Sequence, residues 1–202
     1  MMRLFRRGGK SVTVGSGLPR SGTSLMLQML EAGGMAVLTD GEREADANNP
    51  RGYYEYEPVK QLEHGVTGWL HDAEGKAVKV ISALLPYLPP RHSYRVLFMQ
   101  RDLDEVLRSQ AAMLTKLKGS ADGFDAAALR RDYAEHLRGI HNWLAQQPHL
   151  HVLQVDYNAL VASPAGWCSR VAAFLERDLD TARMAAAVDP SLYRQRKQPE
   201  EA

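Results

Sequence analysis

Short apolar runs alternate with longer amphipathic stretches along the chain, a pattern that suggests βα units around a parallel sheet. Strands are predicted near Ser11–Gly15, Ala36–Thr39, Ala77–Ile81, Arg95–Met99 and Leu150–Val155. Helices are predicted over Thr23–Glu31, Pro58–Leu70, Leu103–Lys118, Phe124–Ala145 and Pro164–Glu176. In Leu103–Lys118 the residues Leu103, Val106, Leu107, Ala111, Leu114 and Leu117 fall on one stripe at helical spacing, the face expected against the sheet. Two stretches have no such period. Thr39–Pro58 is acidic, then passes through Asn-Pro and Arg-Gly into a tyrosine-rich run. Lys118–Asp125 holds Gly119, Ser120 and Gly123. Both are candidate loops over a site.

A length of 202 residues makes one domain, 1–202, the expectation, with a basic segment over 1–10 and a polar tail over 190–202. Apolar residues at 45% and charged residues at 24% argue against a disordered or coiled-coil chain. The net charge of +1 hides an asymmetry: Arg3, Arg6, Arg7 and Lys10 open the chain without an acid, so the body is mildly acidic. Nucleic-acid binding, which draws most of its affinity from a basic face, is therefore not expected, whereas a local anion site is. No apolar run reaches the length of a membrane span and none follows the basic start as a signal peptide would, so a cytoplasmic location is expected. The single cysteine, Cys168, lies in an amphipathic helix and reads as a small core residue.

The strongest local signal is Val12-Thr-Val-Gly-Ser-Gly17-Leu-Pro-Arg-Ser-Gly22-Thr23-Ser24, an apolar strand and a glycine-bounded turn that open the apolar helix Leu25–Leu30. Gly17 and Gly22 keep the spacing of G-x-x-x-x-G-K-[ST], in which backbone N–H groups and a helix N-terminus wrap an anion. Thr23 stands where that pattern has lysine, and the cation moves into the loop as Arg20. Its planar fork suits phosphate or sulfate oxygens, with hydroxyls from Ser21, Thr23 and Ser24 as further donors. A plain glycine turn capped by Ser21 or Thr23 is the structural alternative.

Pro19-Arg-Ser-Gly-Thr-Ser24 resembles the 5′-phosphosulfate loop of the sulfotransferases that use 3′-phosphoadenosine 5′-phosphosulfate (PAPS). Arg95-Val-Leu-Phe-Met-Gln-Arg101-Asp-Leu-Asp-Glu-Val-Leu-Arg-Ser109 is similar to the same family's strand, arginine and helical serine eight residues on, and Val155-Asp-Tyr157 with Leu160 and Pro164 resembles its tail segment. The likeness runs from about residue 12 to 176. It implies a three-layer α/β fold of P-loop type, a central parallel sheet flanked by helices, and sulfuryl transfer from PAPS to a hydroxyl or amine, leaving adenosine 3′,5′-bisphosphate. It also implies a 5′ site of Pro19, Arg20, Ser21, Gly22, Thr23 and Ser24 and a 3′-phosphate site of Arg101 and Ser109. An arginine at the C-terminal end of a central strand does sit where open α/β sheets bind ligands. A surface ion pair of Arg101 with Asp102 or Asp104 is the bland alternative, as is an exposed helix serine at 109, a position away from the apolar stripe. Arg194, Arg196 and Lys197 read as a solvated tail, with a basic flap over the nucleotide as the alternative.

Lys79 lies inside the apolar Lys76–Ser82 run, where a charge should face an anionic partner. Cytosolic relatives carry a lysine at a comparable strand end followed two residues on by a catalytic histidine; that position here is Ile81. The expected replacement base is Glu55, in Asn49-Pro-Arg-Gly-Tyr-Tyr-Glu55-Tyr-Glu57-Pro58, which resembles the Gly-aromatic-Glu segment of sulfotransferases that use a glutamate. Tyr53, Tyr54 and Tyr56 around it would desolvate the carboxylate and raise its pKa, with Arg51 as an orienting partner. Glu57 suits a helix-capping role better. Catalytic candidates are thus Glu55, Lys79 and Arg20. His149 with His151, and His64 with His71, lack an acid or cysteine at ligand spacing, so no metal is expected. Competing functions are a P-loop nucleotide kinase or triphosphatase, with Asp156 as a magnesium aspartate, and a catalytically idle nucleotide-binding protein. The acceptor is left as a small molecule or peptide, with Tyr53, Tyr54, Tyr56, Trp69 and Tyr87 as candidate pocket walls or core.

Overall fold

The computed structural model describes residues 11–43, 45–46, 49–119, 123–193 and 195. Five parallel strands, β1 (Val12–Gly17), β2 (Val37–Leu38), β3 (Ala77–Lys79), β4 (Tyr94–Gln100) and β5 (Leu150–Asp156), form one sheet in the order β2-β3-β1-β4-β5. The helices are α1 (Thr23–Ala32), α2 (Leu103–Lys118), α3 (Ala126–Leu144), α4 (Tyr157–Ala162), α5 (Pro164–Leu175) and α6 (Thr181–Ala186). A parallel sheet needs cover on both faces, and the strand residues alternate accordingly. Val12, Val14, Val78, Tyr94, Val96 and Phe98 pack with Ile140 and Leu144 of α3 and with 3₁₀ turns from the 57–88 region. Ala77, Leu97, Met99 and Val155 pack on the other side with α1, α4, α5 and α6, where Cys168 is fully buried as expected of a core residue. Burial also pushes its thiol pKa up, away from the reactive thiolate.

The predicted helix over Pro58–Leu70 is instead two 3₁₀ segments, Glu57–His64 and Gly68–Leu70. Gly65 separates them in the left-handed region at φ 78°, closing the first segment with N–H bonds back to Gln61 and Leu62 carbonyls. The short helices α4 and α6 escape sequence reading because six residues do not develop a helical period. Each starts on an aspartate cap, Asp156 accepting from Ala159 N and Asp180 from Arg183 N. In α2 the buried side includes Glu105 and Ser109 beside Val106 and Leu107, whereas Leu103, Ala111 and Leu114 are half-buried. The stripe is therefore turned toward a polar neighbour and not centred on the sheet. The side chain of Leu117, residues 120–122 of the predicted second loop, the basic segment 1–10, and Arg194, Arg196 and Lys197 lie outside the described residues.

Chain order and sheet order together place a site. After β1 the chain builds β2 and β3 on one side and then crosses to add β4 and β5 on the other, so β1 and its neighbours frame the switch point at their C-terminal ends. Open α/β sheets bind ligands in that crevice. Register brings Gly17 opposite Met99, Gly15 opposite Lys79 and Gln100 opposite Asp156, which sets the loop after β1, the end of β3 and the start of α2 along one edge.

Candidate active site

A cleft of about 540 Å³ opens at that edge, within the range usual for ligand sites. Pro19, Arg20, Gly22, Thr23 and Ser24 form one wall, Lys79 and Glu55 another, and Arg101 the third. The loop is shaped by backbone constraints. Gly17 has φ 145°, and a Cβ there would lie 2.7 Å from the Met99 carbonyl oxygen. Gly22 has φ 100°, and a Cβ there would lie 2.4 Å from the Tyr157 ring. Arg20 itself takes the left-handed region at φ 69°, which a non-glycine residue enters at a cost. Ser21 Oγ donates to the Leu18 carbonyl at 2.7 Å, so this hydroxyl braces the turn and does not cap α1. Among the described residues no side chain caps that helix, so the N–H groups of its first turn keep the partial positive charge of a helix N-terminus.

Two arginines meet on one side of this loop. Arg20 Nε donates to Ser109 Oγ at 3.0 Å, and Arg101 donates to the Arg20 carbonyl at 3.1 Å. Ser109, expected away from the buried face of its helix, is 6% exposed and holds Arg20 across the cleft. Arg101 pairs with Glu105 at 3.0 Å, not with Asp102, which caps α2, nor with Asp104, which pairs with Arg130. Burial depresses the Arg20 pKa, and the charges of Arg101 and Arg43 add to that depression against opposing effects of Tyr53 and Asp46. Cations crowded together and partly desolvated in this way gain from an incoming anion.

Lys79 is sequestered, with its side chain 11% exposed. Its ammonium donates to the Tyr53 carbonyl at 2.9 Å and to Ser24 Oγ at 3.3 Å, and stands 3.8 Å from Glu55 Oε1. Desolvation lowers its pKa to about 8, with Glu55 opposing that shift. Ser24 Oγ also donates to the Tyr53 carbonyl, at 3.1 Å, so the Gly-aromatic-Glu segment is sewn to the first turn of α1. The backbone of Glu55 is fixed from the other side by Thr39 Oγ1, which donates to its carbonyl at 2.8 Å. The expected setting of Glu55 among tyrosines is not what forms. Its carboxylate is ringed by cations: Arg43 at 2.7 Å, Lys60 at 3.6 Å and Lys79 at 3.8 Å. Arg43 also lies over the Tyr53 ring at 3.4 Å.

Arg51, expected to orient Glu55, instead reaches the Ala187 carbonyl and Asp189, so the orienting arginine is Arg43. Glu57 is exposed and pairs with Lys60 at 2.7 Å. Of the aromatic candidates, Tyr53 and Tyr56 line the cleft. Tyr54 donates to Glu31 at 2.6 Å and packs on the α1 side of the sheet, while Trp69 is core and Tyr87 is exposed away from the cleft. The segment read as a polar tail from 190 is docked at its start. Pro190–Leu192 form a 3₁₀ turn, the Tyr193 ring packs edge-on to Tyr157 at 5.5 Å, and the Gln195 carbonyl accepts from Arg101 at 3.3 Å. Of the contacts that sequence reading missed, Glu105 had a signal, its i+4 spacing from Arg101. Arg43 and Tyr193 had none, since their partners are distant in sequence.

A parallel five-stranded sheet flanked by helices, with a glycine-bounded loop after its first strand and guanidinium groups gathered around that loop, defines a P-loop-like α/β fold. Within that class the chain belongs to the sulfotransferases: the sulfotransferase domain model matches residues 13–200. Among solved structures it is similar to the sulfotransferase domain of the Synechococcus PCC 7002 olefin synthase, with 16% identity over 98% of this chain and 92% of that one at a TM-score of 0.54. The Mycobacterium tuberculosis H37Rv sulfotransferase STF1 gives 17% identity over 92% and 74% at 0.54. Mouse sulfotransferase SULT7A1, solved in complex with PAP, gives 13% identity over 94% and 68% at 0.57. No curated protein sequence matches the chain. Among the described residues no group of three His, Cys, Asp or Glu side chains could hold a metal ion, and no helix is long and apolar enough to cross a membrane.

Proposed function

We propose that this single domain is a PAPS-dependent sulfotransferase whose base is Glu55. The observation that carries the reading is that Arg20 and Arg101 meet at one cleft, Arg20 donating to Ser109 Oγ and Arg101 to the Arg20 carbonyl, with Lys79 and Glu55 beside the loop. When bound, PAPS supplies an activated sulfuryl group on a 5′-phosphate leaving group. Pro19, Arg20, Ser21, Gly22, Thr23 and Ser24 cradle that 5′-phosphosulfate through main-chain N–H groups, hydroxyls and the Arg20 fork, while Arg101 and Ser109 hold the 3′-phosphate. Lys79, next to Ser24, neutralises charge that develops on the oxygen between phosphate and sulfur, and Glu55 takes the proton from an acceptor hydroxyl or amine. The acceptor is a small molecule or peptide bound in the same cleft, whose lining includes the apolar Tyr56, Ile81 and Met113.

A nucleotide kinase is not supported. Asp156, its candidate magnesium ligand, is used as the cap of α4, and Thr23 occupies the position of the phosphate-binding lysine. Adenosine 3′,5′-bisphosphate without Mg²⁺ is expected to raise the melting temperature, since a ligand at 100 times its Kd contributes about 2.7 kcal/mol. Stabilisation only by ATP with Mg²⁺ would sink the reading. Bound bisphosphate without sulfate transfer across a panel of phenols, alcohols, amines and tyrosyl peptides would mark a catalytically idle nucleotide-binding protein.

The depressed pKa of Lys79 sets a pH dependence. The free enzyme carries the cation below about pH 8 and loses it above, so kcat/KM should fall on its alkaline limb with an apparent pKa near that value. Lys79→Arg should carry that limb upward, beyond the range where the lysine titrates, because a guanidinium stays protonated. A limb unmoved by the substitution would remove Lys79 from the transferring machinery.

A further inference from the structure

Glu105 is a charged side chain with no solvent exposure, and it pairs with Arg101 at the proposed 3′-phosphate site. One carboxylate oxygen accepts from Arg101 Nε at 3.0 Å. The other accepts from Asn158 Nδ2 at 3.1 Å and from the Tyr193 hydroxyl, and Asn158 also donates to that hydroxyl. The Arg101 guanidinium is thereby held edge-on by Glu105 while its face lies 4.6 Å from the Tyr157 ring and 5.3 Å from the Tyr193 ring. One N–H of each terminal nitrogen reaches a backbone carbonyl, that of Arg20 in the loop after β1 and that of Gln195 in the C-terminal segment, which leaves two N–H groups for a phosphate. That segment is tied down a second time, through Arg51 to Ala187 and Asp189.

A fully buried ion pair adds little net stability, because desolvation offsets its Coulombic attraction. What such a pair does supply is a fixed geometry. A guanidinium that must meet a phosphate in a bidentate fork loses affinity when its plane is free to turn. Tyr193 fits this role: its hydroxyl pKa is pushed up to about 12, by burial first and then by its bond to Glu105, so it remains a donor across the physiological range.

We propose that Glu105 is a positioning residue which, clamped by Asn158 and Tyr193, fixes the Arg101 guanidinium for the nucleotide's 3′-phosphate, so that recognition of this group depends on docking of the C-terminal segment. The proposal rests on the PAPS reading and deepens it. Neither Glu105 nor Tyr193 need touch the nucleotide; both act through Arg101.

The test compares the affinities of the full chain for adenosine 3′,5′-bisphosphate and adenosine 5′-phosphate by titration calorimetry. The wild type should prefer the bisphosphate. Glu105→Gln should lower that preference by roughly tenfold or more, the worth of a hydrogen bond to a charged group, with 5′-phosphate affinity unchanged. Tyr193→Phe, which keeps the ring and removes one donor, should lower it several-fold in the same selective way and serves if the first variant fails to fold. In the Arg101→Ala background neither substitution should lower the preference further. Loss of affinity for both nucleotides alike, or a preference retained or increased, would overturn the positioning role while leaving the sulfotransferase reading intact. A wild type with no preference for the 3′-phosphate would overturn both.

Discussion

Glu55→Gln is expected to lower kcat by about 10²–10⁴-fold, the usual contribution of a general base, with affinity for adenosine 3′,5′-bisphosphate near wild type. The amide has almost the same shape and can still accept from Arg43, so the segment should keep its place; what it loses is the ability to take a proton. Stability should change little, because the Glu55 pairs are partly exposed and such pairs are worth at most about 1 kcal/mol. Sulfate transfer and nucleotide affinity, measured side by side, separate the outcomes. Turnover near wild type would move the base elsewhere, and joint loss of turnover and nucleotide affinity would make Glu55 a binding residue. The position of the carboxylate favours the first result. It stands 3.8 Å from the Lys79 ammonium, which itself reaches Ser24 Oγ at 3.3 Å, and its backbone is bonded from Thr39 and Asp40.

Gly22→Ala should cost about 2–5 kcal/mol of stability, combining left-handed strain at φ 100° with overpacking against an aromatic ring. It should also weaken bisphosphate binding sharply. The added methyl meets Tyr157, and that ring cannot retreat without disturbing Arg101 and Tyr193, which both pack on it. One substitution in the loop after β1 therefore reaches the proposed 3′-phosphate site through a single aromatic side chain. Gly34→Ala is the control: it too lies at positive φ, 94°, but nothing stands within 4 Å of its added Cβ. It should show the strain without the clash, and a loss equal to that of Gly22→Ala would refute the coupling through Tyr157. Thermal melts and nucleotide titrations on both variants decide between them.

The parts of the fold that could be read in advance are those in which local sequence and tertiary environment agree. Apolar runs such as Val12–Val14 and Arg95–Met99 are strands because a parallel sheet buries both faces, and the helix α2 was legible end to end from its period; its Asp102 cap was not read. Reading failed where agreement was absent. Pro58–Leu70 carries helical composition, but Gly65 breaks it into 3₁₀ turns, and α4 and α6 are too short to show a period. In the cleft, the placement of residues 19–24 and of Arg101 could be read because each sits at a strand-to-helix junction, whereas the bond from Arg20 to Ser109 spans 89 residues. Arg43 on Glu55, Arg51 on Asp189 and Tyr193 on Glu105 join residues far apart in sequence, and no local pattern encodes such contacts.

The amino-acid sequence by itself determined the five strands, the helices α1, α2, α3 and α5, that a glycine-bounded turn follows the first strand, and that a guanidinium stands at the end of the fourth. Those features follow from hydrophobic period, glycine spacing and capping chemistry, all of which act over a few residues. Only the tertiary structure decided that Arg20 reaches Ser109, that Arg43 and not Arg51 holds Glu55, that Glu105 is buried behind Arg101, and that Leu192 and Gln195 line the cleft. Each of these depends on sheet order: the crossover from β3 to β4 brings the ends of distant segments to one edge, and side chains find their charged partners across that edge once the core has fixed its register.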